Sequence, residues 1–185
     1  MGYRLVTAPG SYPVSTASAK AQCRVDHDDE NTLIEGLIAA ATDYVELYLG
    51  RALVSQTWEL VLDDFSDEIL IGKGPVSSIT SVKYYDPDGV EQTLSSSTYS
   101  FDATADPQRI TLNPGYSWPS IDEGVAKITI RFVCGYSTVP APIKQAMLLL
   151  IAQWYDNRAD ATDRPMIAMP NAVAALLTNY RNFSF

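Results

Sequence analysis

The strongest constraint on this chain is the order in which its hydrophobic periodicities change. From about Asp29 to Leu49, the residues Leu33, Ile34, Leu37, Ile38, Ala41, Tyr44, Val45 and Tyr48 recur at steps of three and four. That spacing gathers them on one side of a helix. From Leu53 the period falls to two. Trp58, Leu60 and Leu62 alternate with Thr57, Glu59 and Val61, and Ala126, Ile128, Ile130 and Phe132 alternate with Lys127, Thr129 and Arg131. From Pro140 the helical period returns, with Ile143, Ala146, Met147, Leu150, Ile151 and Trp154 in one stripe. A strand cannot offer a 3.6-residue stripe to a core, and a helix cannot offer an alternation. Two helical parts must therefore flank a β block. The expected fold is α+β: a small helical core of one N-terminal and two C-terminal helices, with an inserted antiparallel β domain. We place the parts at 1–52, 53–136 and 137–185.

Local signals fill in this frame. Residues 1–14 carry Pro9, Gly10 and Pro13 and read as an extended arm. Ser15 or Thr16 caps a short helix through Cys23. Asp28 is the expected N-cap of the long helix, and Gly50 sits where a left-handed C-cap belongs. Glu68–Ile71 and Val76–Tyr85 read as strands. Asp86-Pro87-Asp88-Gly89 is a turn that returns Val90–Leu94 as a hairpin partner. Thr98–Phe101 and Arg109–Leu112 are weaker strands, and residues 113–119 form a loop. Pro140 and Pro142 suit the first turn of a helix. Asn157–Pro170 is a polar loop, Asn171 caps a last helix over Val173, Leu176, Leu177 and Tyr180, and the chain ends in an aromatic tail.

Composition limits the partners. The 185 residues include 22 acidic and 13 basic side chains, a formal net charge of -9. Nucleic acid and anionic lipid repel such a chain at long range, so it can surround DNA without gripping it. The longest apolar run, Ala146 to Ala152, is far too short to cross a bilayer, and residues 1–6 lack the apolar core of a signal peptide. The expectation is a soluble protein made and used in the cytoplasm, with no membrane partner.

Chemistry is thinly represented. The sole histidine, His27, lies in an acidic turn with no nucleophile near it in sequence. Asp26, Asp28, Asp29 and Glu30 suit a helix start better than a cation, because the glycine and distal glutamate of a calcium loop are missing. Asp63, Asp64, Asp67 and Glu68 read as a solvated loop. Cys23 and Cys134 have no metal-ligand spacing and read as buried small hydrophobes. Gly72-Lys73-Gly74-Pro75 is too short for a phosphate loop. We expect no catalytic residue, no metal and no cofactor. Tyr84, Tyr85 and Tyr99 suit sheet packing or an interface equally. Phe183 and Phe185, at a chain end, either dock on a neighbour or fray.

Three segments taken together resemble a known family. The first is Ala19-Lys20-Ala21-Gln22-Cys23-Arg24-Val25-Asp26, leading into residues 33–41 and Gly50-Arg51-Ala52-Leu53. The second is Thr57-Trp58-Glu59-Leu60 with the hairpin Val82-Lys83-Tyr84-Tyr85-Asp86-Pro87-Asp88-Gly89. The third is Pro142-Ile143-Lys144-Gln145-Ala146 through Trp154-Tyr155-Asp156-Asn157-Arg158, with Leu176-Leu177-Thr178-Asn179-Tyr180-Arg181. This order resembles the head–tail connector (adaptor) family of tailed double-stranded DNA phages and gene transfer agents, in its longer subgroup with an inserted β domain. Cys23 departs from the leucine usual there, and Ser95–Pro107 matches weakly.

The resemblance implies a non-enzymatic virion protein at the head–tail junction, assembled in a bacterial host. It implies a ring, typically of twelve copies, beneath the portal protein. The ring would extend the DNA channel without binding DNA specifically and would receive a tail-side neck or stopper protein. It also implies that the C-terminal helix and tail dock on the portal, which makes Tyr180, Arg181, Phe183 and Phe185 the candidate partner interface. Like charge should keep the isolated protein monomeric or weakly associated until a template gathers it. The alternatives are another neck or tail-completion protein, a small carboxylate-dependent hydrolase with acids of raised pKa in a deep pocket, and a monomeric binding module.

Overall fold

A computed structural model of the chain describes residues 2–157 and 170–182. In chain order the elements are β1 (Gly2–Thr7), α1 (Thr16–Cys23), α2 (Asn31–Leu49), β2 (Gln56–Leu62), β3 (Glu68–Ile71), β4 (Val76–Tyr85), β5 (Glu91–Thr93), β6 (Tyr99–Asp102), β7 (Gln108–Leu112), β8 (Ile128–Cys134), α3 (Ala141–Asp156) and α4 (Asn171–Leu177). A short 3-10 turn, Thr178–Tyr180, follows. The fold is α+β, with two antiparallel sheets lying between the helices along the chain. The described residues form two compact units. One takes 2–10, 55–136 and Asn182; the other takes 11–54, 137–157 and 170–181.

In the helical unit, α2 buries Ile34, Ile38, Ala41, Thr42, Val45 and Leu49, and α3 buries Ile143, Ala146, Met147, Leu150 and Ile151. The α2 stripe is narrower than its sequence suggests, because Leu33 and Tyr44 remain exposed. Tyr44 meets Trp154 of α3 edge to face, with ring centroids 5.9 Å apart. Gly50 takes the left-handed conformation at φ 65°, and its N–H returns to the Glu46 carbonyl, as expected of a glycine C-cap. Ser15 caps α1 by accepting the Ser18 N–H at 3.2 Å.

Two expected caps are corrected. Asp28 does not cap α2, because its carboxylate is taken by Lys20 Nζ at 2.6 Å and Asn31 Nδ2 at 3.2 Å. Glu30 holds the cap position without a side-chain cap bond, and its carboxylate instead accepts the Tyr155 hydroxyl. Asn171 is the first residue of α4 rather than its cap, and Pro170 precedes it.

The β unit holds a five-stranded sheet in the order β1-β2-β8-β4-β5 and a three-stranded sheet in the order β3-β7-β6. The expected extended arm is half strand: Gly2–Thr7 pairs antiparallel with β2 from Gly2↔Val61 to Thr7↔Thr57. The sequence hides this because the pairing partner lies more than fifty residues away. Register aligns Tyr3, Leu60, Ile130 and Val82 across four strands, and the last three are fully or nearly fully buried. The Tyr3 ring meets Phe132 edge to face at 6.4 Å, and its hydroxyl accepts the Gly72 N–H at 2.7 Å. Ile69, Ile71 and Ile110 bury the inner side of the small sheet. Gln108 ties that sheet to β4 by accepting the Val76 N–H at 3.0 Å.

Candidate interaction surfaces

The C-terminal candidates divide between what is described and what is not. Tyr180 closes the 3-10 turn, and its carbonyl accepts Arg51 Nε at 2.8 Å. The Arg181 guanidinium lies over the Tyr48 ring, 5.2 Å from its centroid. Tyr180 and Arg181 are thus held against the end of α2 by the Arg51 bond and by a cation–π contact. Asn182 donates to the Gly72 carbonyl at 2.6 Å. Phe183 and Phe185 lie outside the described residues.

His27 is exposed, with Nδ1 3.9 Å from an Asp29 carboxylate oxygen. Among the described residues, no group of three or more His, Cys, Asp or Glu side chains is placed to hold a metal ion. Both cysteines are free thiols. Cys134 is buried as expected, whereas Cys23 is only half-buried, and burial followed by the nearby Asp156 charge raises its thiol pKa.

A depression of about 630 Å3 in the helical unit is lined by residues that include Tyr12, Val14, Ile38, Lys144, Leu148 and a single carboxylate, Glu35. One acid beside one lysine does not make the paired carboxylates that a glycosidase needs. The carboxyls of Asp28, Asp86 and Asp102 titrate below their ordinary range, chiefly because they accept side-chain hydrogen bonds from Lys20, Gln92 and Thr104. This is opposite to the raised pKa of a general acid. Phe65 stacks on Trp118 at 4.5 Å, and Tyr84 meets Phe65 edge on at 6.1 Å.

The most organised polar surface lies on the other side of the five-stranded sheet. Register aligns Arg4, Glu59, Arg131 and Ser81 across β1, β2, β8 and β4. Glu59 is 3% exposed and is clamped from both sides. Arg131 donates to Oε1 from Nε at 2.9 Å and from Nη2 at 2.6 Å, while Arg4 donates to Oε2 from Nε at 3.0 Å and also from Nη2. Burial alone would raise the Glu59 carboxyl, but the hydrogen bonds and charges of the two arginines hold it below its ordinary value. Beside this triad, Lys83 pairs with Glu91 at 2.6 Å, and Lys127 pairs with Asp122. Lys127 Nζ also sits 5.9 Å from the Tyr85 ring centroid. Arg4, Glu59, Lys83, Tyr85, Glu91, Lys127 and Arg131 are among the residues that rim a hollow of about 200 Å3. Sequence reasoning missed the cluster. It placed Glu59 and Arg131 on polar strand sides, and only the register brings them together.

A family profile described as head completion protein matches residues 15–183. The fold is similar to a chain in the neck of an empty gene transfer agent (GTA) particle computed with C6 symmetry, with TM-score 0.82 and 25% identity over 100% of this chain and 97% of that one. It is equally similar, at TM-score 0.82 and 25% identity over the same shares, to a chain in the virion of a native GTA particle. A chain in the neck of a native GTA particle computed with C12 symmetry gives TM-score 0.75 and 26% identity, again over 100% and 97%. A comparison with curated proteins finds no match.

Proposed function

The chain belongs to the head completion protein family, and we propose that it is a structural head–tail connector of a phage or gene transfer agent. Several copies join as a ring beneath the portal protein, extend the DNA channel and offer a surface to a tail-side neck or stopper protein. The observation that carries this reading is the two-way, nearly full-length similarity to neck chains. The C12 symmetry of one neighbouring neck favours twelve copies.

The physical chemistry supports it. A net charge of -9 spread round a channel lets DNA pass, because DNA affinity grows with each phosphate that a lysine or arginine neutralises. A closed ring needs two different complementary surfaces on each copy. The C-terminal segment from Tyr180 onward supplies the contact with the portal: Tyr180 and Arg181 are fixed at their base, and Phe183 and Phe185 are the apolar anchors.

The test is size-exclusion chromatography with light scattering, on the protein alone and then mixed with the portal protein of the same particle. We expect a ring of fixed stoichiometry on the portal, lost when residues 181–185 are deleted. A stable monomer in the mixture at both low and high salt would overturn the connector reading. A ring that survives the deletion would overturn the role of the tail.

A further inference from the structure

Four of the chain's 13 cationic side chains, Arg4, Lys83, Lys127 and Arg131, gather round the hollow on the polar side of the five-stranded sheet. Three carboxylates answer them: Glu59 is shared by both arginines, Glu91 pairs with Lys83, and Asp122 pairs with Lys127. These four cations and their three paired carboxylates sum to +1, in a chain whose net charge is -9. The arginines are not used up by Glu59. It takes Nε and Nη2 of each, so Nη1 of both stays outside the contact. Their side chains are 71% and 45% exposed. Arginine and tyrosine at a rigid, half-exposed site are what protein interfaces favour, and Tyr85 completes the set.

We propose that this basic surface receives carboxylates of a second copy of the same chain, and so forms one half of the contact between neighbours in the ring. The inference rests on the ring reading above. A ring contact is heterologous, so the basic surface must meet a different surface on its neighbour. That neighbour is rich in acid. Of the 20 acidic residues among the described ones, three pair with these cations, which leaves 17 others. Two exposed acidic segments are candidates: the one with Asp26 and Asp29 between α1 and α2, and the one with Asp64 and Asp67 after β2. DNA is the poorer occupant, because a local +1 does not offset the repulsion from the remaining carboxylates. Burying the cations between copies also removes them from the channel. Complementary charge of this kind fixes orientation and register between partners.

Charge reversal in mixed rings tests the proposal. The first variant carries Lys83→Glu and Lys127→Glu, which leaves the Glu59 clamp intact. The second carries either Asp26→Lys with Asp29→Lys, or Asp64→Lys with Asp67→Lys. Copies bound per portal are counted by light scattering, and thermal melting confirms that each variant is folded. A milder pair, Lys83→Gln with Lys127→Gln, should lose occupancy in the same direction by a smaller amount.

We expect the wild-type protein to fill the ring. The first variant should need roughly tenfold more protein for half occupancy, and mixing it with one of the two acidic-segment variants should restore the ring. A first variant that fills the ring at the wild-type concentration would overturn the charged contact and leave the ring reading standing. So would a loss that neither acidic-segment variant repairs. A wild-type protein that forms no ring would overturn the ring reading, and this inference with it.

Discussion

Glu59 shows how one residue can be placed by charge rather than by polarity alone. A carboxylate that is 3% exposed would ordinarily cost several kcal/mol to desolvate, and it survives here because two guanidiniums bind both of its oxygens. The consequence is a defined pH dependence. The Glu59 carboxyl is held below its ordinary value of 4.5 in the folded protein. Its stabilisation is therefore fully present above about pH 4.5 and is lost as pH falls through the lower folded value. Asp28, Asp86 and Asp102 shift the same way, so the whole protein should weaken in acid. Melting temperatures from pH 6 to pH 3 should fall less steeply for Glu59→Gln than for the wild type. Parallel curves would show that the clamp contributes nothing to acid stability.

At the scale of the element, α2 separates its residues by burial more sharply than its pattern does. Ile38 is 1% exposed and Leu47 is 84% exposed, though both are aliphatic residues of the same helix. Ile38→Ala should cost about 2–5 kcal/mol in urea unfolding, through lost transfer energy and the cavity left behind. Leu47→Lys should change stability by less than about 0.5 kcal/mol, because nothing is removed from the core. Equal losses at the two sites would contradict the packing of α2. The helix end illustrates a signal that needs no tertiary help, since Gly50 adopts the left-handed cap its position calls for. The helix start is the opposite case. Asp28 has the right residue type at nearly the right place, yet Lys20 and Asn31 take its carboxylate.

For the whole molecule the governing quantity is charge. A protein at -9 should not retain duplex DNA in a gel-shift assay at low salt, even at about 10 µM, where non-specific DNA-binding proteins are bound. A retained complex at that concentration would mean that the four cations of the β sheet dominate the surface, and would argue against a passive channel wall. The same cations also qualify a composition-only view. Overall acidity predicts repulsion between copies, but a local excess of positive charge gives neighbours a way to attract at one place while repelling elsewhere.

The sequence by itself determined the α+β class, the order of helices and strands after the N-terminal arm, and the alternation of residues along β2 and β8. Periods of 3.6 and 2 are written in local spacing, and so are glycine caps and proline starts. Its likeness to connector proteins was legible too, because it rests on the order of segments along the chain. Tertiary structure alone decided that Gly2–Thr7 is a strand, that Leu33 and Tyr44 stay exposed, and that Arg4, Glu59 and Arg131 form one cluster. Each of these depends on contacts between residues distant in the chain. Strand register, and with it the meeting of charges across a sheet, is set by long-range pairing that no local pattern encodes.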